Sequence, residues 1–266
     1  MDNVLLAFLL TLLSGLATGI GGLITLFTKR SNNRFLSISM GFSAGVMIYV
    51  SMIELFPEAN ALLGGMYGEK TGSLYTVLSF FAGMFLIALI DKFIPEDENP
   101  HEMASCPLPA VQNGKTQNLK RTGVMTAVAI AIHNFPEGIA AFVSATQSLR
   151  VALPIIIAIA IHNIPEGISV AMPIYCSGGS RKKALGYSFL AGLSEPLGAL
   201  IGYLILLPFM NDAVFGILYG LVAGIMVFIS FDELLPGAEV YGEHHLAIYG
   251  LVGGMAIMAL SLWLFI

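Results

Sequence analysis

The chain has 266 residues, 56% of them hydrophobic and only 11% charged, with a formal net charge of −5. An average soluble domain is about 25% charged, so the composition excludes a water-bathed globular fold. It also lacks the Lys/Arg-rich tract that a nucleic-acid partner would need.

A helix needs about 20 apolar residues to cross a hydrocarbon core of ~30 Å. Runs of that length recur at 4–27, 35–56, 73–95, 122–146, 151–175, 184–208, 213–236 and 246–265, numbered here as spans 1 to 8. The expected fold is an all-α integral membrane protein of eight transmembrane helices, a single domain over 1–266. Span 1 follows Met1-Asp2-Asn3 with no preceding Lys or Arg and is longer than a leader's apolar core, so no cleavable signal peptide is expected. Between spans 3 and 4, residues 96–121 carry Pro100, Pro107, Pro109, several acids and His101, the composition of a flexible linker. His101 and Cys106 would give that loop at most a weak metal-capture role. With only two cysteines, Cys106 and Cys176, neither a disulfide framework nor a multi-cysteine zinc site follows.

Orientation comes from the basic residues. If the N-terminus lies outside, the loops after spans 1, 3, 5 and 7 are cytoplasmic. These loops and their flanks hold Lys29, Arg30, Arg34, Lys92, Lys115, Lys120, Arg121, Arg181, Lys182 and Lys183, leaving only Lys70 and Arg150 of the 12 outside. The positive-inside rule therefore places both termini outside.

Internal similarity organises the rest. AIAIHNFPEGI at 129–139 and AIAIHNIPEGI at 158–168 differ at one position. A looser echo, Ser-x-x-Glu-Leu-x-Pro, joins Ser51–Pro57 to Ser230–Pro236, each at a predicted helix end. Spans 2 and 7 thus correspond, as do 4 and 5, which predicts a 3+2+3 pseudo-symmetric arrangement of the kind that places a transport site at mid-membrane. Glycines spaced by four, at Gly15/Gly19, Gly41/Gly45, Gly198/Gly202, Gly216/Gly220/Gly224 and Gly250/Gly254, predict close helix packing, with a smooth sliding surface as the alternative use.

The chemistry sits in the duplicated motif. Positions i and i+4 share a helix face, so His133 aligns with Glu137, with Asn134 beside them, and span 5 repeats the face with His162, Asn163 and Glu166. Pro136 and Pro165 each remove a backbone hydrogen bond beside the histidine, which predicts a kink, and Gly138 and Gly167 remove bulk at the same level. A charge at the bilayer centre costs about 2.5–3.5 kcal/mol even on the lenient insertion scale. Glu137, Glu166 and Glu195 of span 6 have no Lys or Arg in the middle of their helices to offset them. A bound dication offsets them, and imidazole with carboxylate suits zinc and neighbouring transition metals. Glu54 near the end of span 2 and Asp232 with Glu233 near the end of span 7 form a candidate relay for ions or protons, against the plainer role of interfacial carboxylates. His244 and His245 precede span 8 as candidates for receiving released metal, or as ordinary surface histidines.

These features predict transport of a divalent metal. Three rivals remain open: an intramembrane zinc-dependent hydrolase, although no His-Glu-x-x-His motif is present; an ion-coupled carrier of another solute; and a sensor without flux.

With His-Asn-x-Pro-Glu-Gly in spans 4 and 5, eight spans and a polar loop after span 3, the chain resembles the ZIP (Zrt/Irt-like) family of metal transporters, in its ZupT-like bacterial branch. The resemblance covers the whole chain and implies a two-metal site. His133, Glu137, His162 and Glu166 would hold one metal. Asn134, Asn163 and Glu195, sharing Glu137 and Glu166, would hold the other. It further implies movement of metal into the cytoplasm by sliding of spans 1, 4, 5 and 6 against spans 2, 3, 7 and 8. The implied cargo is zinc first, then iron, manganese, cobalt or cadmium, with no resident cofactor. The implied setting is the cell membrane, with metal ions and the bilayer as partners and a homodimer allowed. The chain departs from relatives with a histidine-rich loop in having His101 alone there.

Overall fold

The computed structural model describes residues 2–27, 33–92, 127, 130–131, 134–146, 148–176, 180–206, 209, 211–241 and 244–264. All regular structure among them is helical: α1 (Asp2–Phe27), α2 (Asn33–Val50), α3 (Phe56–Tyr67), α4 (Glu69–Lys92), α5 (134–146), α6 (Leu149–Cys176), α7 (Arg181–Gly192), α8 (Ser194–Ile201), α9 (Asp212–Ile229), α10 (Leu235–Tyr241) and α11 (His244–Leu264). Seven stretches of the described residues are long and apolar enough to cross a membrane. The predicted span 4 is described only in part, as α5 with Ala127, Ile130 and Ala131.

Two helix ends expected from sequence lie elsewhere. Span 2 does not stop at 56: α2 continues through Ser51–Leu55 into α3, giving one apolar run over Ser37–Tyr67. Span 7 likewise continues from α9 through Ser230–Leu234 into α10. The prolines explain both. Pro57 and Pro236 have no N–H and crowd the carbonyl four residues back. The chain answers with a π turn rather than an end, in which Phe56 N–H bonds to Ser51 O and Leu235 N–H to Ser230 O, five residues back. The Ser-x-x-Glu-Leu-x-Pro echo therefore encodes a widened turn inside a continuous helix. The chain reverses instead at Gly68, whose φ of +82° favours glycine, and α4 begins at once.

The helices divide into two packed units. In one, α1 packs on α6, α7 and α8, and α5 joins through Gly138, where a Cβ would collide with the carbonyl of Glu195 on α8. In the other, α2 packs on α11 and α4 on α9, with α3 against both α4 and α9. The glycines whose contacts are described touch, where they touch another helix, a helix of their own unit. Gly21 lies on Ile164, Gly167 on Thr18, Gly198 on Phe135, Gly41 and Gly45 on Ala247 and Leu251, and Gly224 on Phe80. The spaced glycines thus build close helix pairs and do not line the seam between units. That seam includes α2 on α6. α6 is the central helix, with 76% of its apolar window buried, whereas α4, at 17%, presents Leu74, Phe81 and Phe85 outward.

Candidate metal site

α6 and α5 cross with their acidic faces together. His162 and Glu166 stand one turn apart on α6, Nε2 lying 3.9 Å from Glu166 Oε1. From α5, Glu137 brings its two oxygens to 3.2 and 3.3 Å from the same nitrogen. With its amide nitrogen turned toward acceptors, Asn134 donates to Ile130 O and to Glu166 Oε2, both at 3.1 Å. One imidazole is thus held between two carboxylates from two helices. None of these four side chains is more than 1% exposed.

A second cluster adjoins the first on the α1 side. Ser14 Oγ lies 2.5 Å from one oxygen of Glu195 and 2.8 Å from Thr11 O, sharing one proton between them, and the amide nitrogen of Asn163 donates to the other Glu195 oxygen. The same Asn163 nitrogen donates to Ser14 O at 2.9 Å, while its Oδ1 has no hydrogen-bond partner among the described residues. The local chain explains the position of Glu195. Pro196 cannot bond to the carbonyl of Gly192; the helix is interrupted at Leu193 and restarts as α8 with Glu195 in its first turn. Gly138 and Gly167, expected to remove bulk at this level, each let a neighbouring backbone touch its helix next to a glutamate. α6 runs through Pro165 as a single helix.

Six of the seven predicted metal residues, Asn134, Glu137, His162, Asn163, Glu166 and Glu195, therefore stand in two adjoining buried clusters. His133 lies outside the described residues, as do His101 and Cys106. Among the described residues no three His, Cys, Asp or Glu side chains converge in metal-ligand geometry. The pathway candidates lie on the second unit. Glu54 is half-buried in the first π turn and Asp232 in the second, with Glu233 beside it in the chain. The first turn packs on α9 and the second on α2. His244 lies at the surface, 2.7 Å from Glu239, with His245 beside it.

Sequence reasoning missed Ser14. Its signal was present: Thr11, Ser14, Thr18 and Thr25 recur at helical spacing in an apolar span, and all are at most 1% exposed. Also missed were two hydrogen bonds that cross the seam. Ser43 Oγ on α2 donates to His162 O at 3.4 Å, and Ser144 on α5 meets Tyr219 on α9 at 2.7 Å.

Known proteins are similar to the chain over its full length. Residues 94–262 match the family described as ZIP Zinc transporter. The "Zinc transporter ZupT" of Clostridium perfringens is 60% identical over 281 residues, covering 100% of this chain and 98% of the relative. That of Streptococcus mutans is 60% identical over 265 residues, covering 100% and 99%. That of Lysinibacillus sphaericus is 55% identical over 269, covering 99% of each. The chain is a multi-pass membrane protein and belongs to the ZIP zinc transporter family.

Proposed function

We propose that the protein carries zinc, and related divalent transition-metal cations, across the cell membrane into the cytoplasm through the buried clusters on α5, α6 and α8. The observation that carries this reading is the concentration of Glu137, Glu166 and Glu195 in an apolar interior, each at most 1% exposed. No Lys or Arg occurs anywhere in 122–149, 151–180 or 184–266. Isolated buried carboxylates are costly, and a dication arriving as cargo offsets them with two charges. Imidazole and carboxylate then replace its water. His133, spaced from Glu137 as His162 is from Glu166, completes the first ligand set, and Asn163 Oδ1 faces a second. The chemistry is transport, not hydrolysis: full-length relatives are transporters.

The eight-helix, 3+2+3 arrangement with both termini outside is part of the same reading. Its support is reciprocal contact. The π turn of α2/α3 packs on α9, and the π turn of α9/α10 packs on α2. Gly138 touches Glu195 O as Gly167 touches Thr18 O, and Gly198 touches Phe135 O as Gly21 touches Ile164 O. Movement of one unit against the other is supported by a seam that shows no tight glycine contact among the described residues. Glu54, Asp232 and Glu233 then extend the path through the second unit.

Metal uptake into proteoliposomes tests the site. His133→Ala, His162→Ala and Glu166→Ala should each lose nearly all zinc flux, while folding and reconstitution stay normal. Parental flux in His162→Ala and Glu166→Ala would refute the assignment, and uptake of an organic solute without metal would favour a different cargo.

A further inference from the structure

We infer that Thr18 on α1 is a further oxygen of the transport site and sets which dication it favours; the inference rests on the site proposed above. The two halves of the first unit can be aligned through their contacts. A Cβ on Gly167 would strike Thr18 O, as one on Gly138 would strike Glu195 O. Gly21 meets Ile164 O as Gly198 meets Phe135 O, and Gly15 and Gly192 meet each other's carbonyls. A Cβ on Gly15 would lie 3.3 Å from Glu195 Cβ, and one on Gly192 would lie 3.0 Å from Thr18 Cβ. Each relation pairs Thr18 with Glu195.

Thr18 therefore starts its side chain from the place that the other half gives to a metal-site carboxylate. The side chain is fully buried, and its Oγ1 has no hydrogen-bond partner among the described residues. Threonine on a helix commonly satisfies its hydroxyl on the carbonyl four residues back, as Thr11 does on Ala7 O at 2.9 Å and Thr25 on Gly21 O at 3.1 Å. Thr18 does not. A buried hydroxyl left without a partner is costly, and an oxygen free to accept a cation is a use for it. The supporting groups differ too: Ser14, which holds Glu195, has Ala191 as its counterpart. One arm of the site is thus an anchored carboxylate and the other a neutral hydroxyl. Oxygen donors suit manganese and other hard dications more than they suit zinc, which imidazole already satisfies.

The experiment is competitive uptake of zinc and manganese into proteoliposomes by the parent, Thr18→Val, Thr18→Ser, Thr18→Cys and Thr11→Val. Thr18→Val should raise KM for manganese about tenfold, the lower end for groups supporting a metal site, with a smaller rise for zinc. Thr18→Ser should restore the parent values, and Thr11→Val, which loses an equally buried hydroxyl bonded within α1, should match the parent. Thr18→Cys should let cadmium block zinc uptake at lower concentration. Parental KM for both metals in Thr18→Val, or equal losses in Thr11→Val and Thr18→Val, overturns the inference, as does unchanged cadmium sensitivity. His162→Ala, run alongside, separates the two failures: flux at the parental rate there brings down the site itself rather than the role of Thr18.

Discussion

Helix contacts inside the two units differ in kind from those between them. Inside, backbone lies on backbone: Gly167 on Thr18, Gly138 on Glu195, Gly45 on Leu251, Gly224 on Phe80. Between, side chains of ordinary size meet. Val50, Leu55, Val222 and Met226 of one unit and Glu137, Ala140, Ile155 and Ile159 of the other enclose a cavity of about 10 Å³, near the lower limit for one water. In lipid there is no hydrophobic drive to hold helices together, so small residues and close dispersion contact do it. A unit stitched by backbone contact has one way to pack. A seam of branched side chains with few polar links can be re-made elsewhere along its length. The contrast teaches where this fold is rigid and where it can yield.

The contrast breaks most visibly at the glycines. Gly167→Ala or Gly138→Ala puts a methyl group into a neighbouring carbonyl. Overpacking of this kind costs about 1–3 kcal/mol when flexible side chains can adjust, and here only a helix can. Both variants should lose most folded protein, read as loss of a monodisperse peak and a lowered Tm in detergent. Gly186→Ala in α7, with open space around it, should hold or gain slightly, by roughly the 0.5–1 kcal/mol that glycine forfeits in a helix. Next in size is Ser14→Ala. It removes the hydroxyl from Glu195 without touching packing, and groups that orient metal ligands are worth roughly 10–100-fold in affinity or activity. A raised KM for zinc with parental Tm is the expected result; unchanged KM would make Ser14 a packing residue only.

Reading the sequence went furthest where identity is repeated. The His-Asn-x-Pro-Glu-Gly pair put His162, Asn163, Glu166, Asn134 and Glu137 on facing helices, because i, i+3 and i+4 geometry is local and needs no knowledge of the fold. The Ser-x-x-Glu-Leu-x-Pro pair was visible but misread. A proline after an acidic turn is written the same way whether the helix stops or widens, and only the bonds of Phe56 and Leu235 to carbonyls five residues back decide it. Ser14 and Thr18 were harder still. Their neighbours come from α6, α7 and α8, far along the chain, and Thr18 corresponds to Glu195 in position but not in chemistry, so no comparison of letters pairs them. The glycine pairs predicted close packing with sliding as the lesser alternative, and their contacts within each unit bear the packing out.

The smallest effect tests the seam. Ser144 Oγ already donates to Ala140 O at 2.6 Å, and a hydroxyl has one proton, so Tyr219 is the donor across the seam at 2.7 Å. Tyr219→Phe then removes a bond without stranding a buried donor, and the ring, fully buried beside Phe215, keeps its packing. The loss should be the net worth of one neutral hydrogen bond, about 0.5–1.5 kcal/mol, which is about two- to tenfold in an equilibrium. If Tyr219 belonged to the interior of one unit, that loss would appear as reduced Tm. Because it links the two units, it should instead appear as a shift between their arrangements. A cysteine placed at Ala140, which lines the cavity beside Glu137, should react faster with a thiol reagent in membranes carrying Tyr219→Phe, with Tm nearly unchanged. Equal reactivity with a lowered Tm would make the seam as fixed as the units it separates.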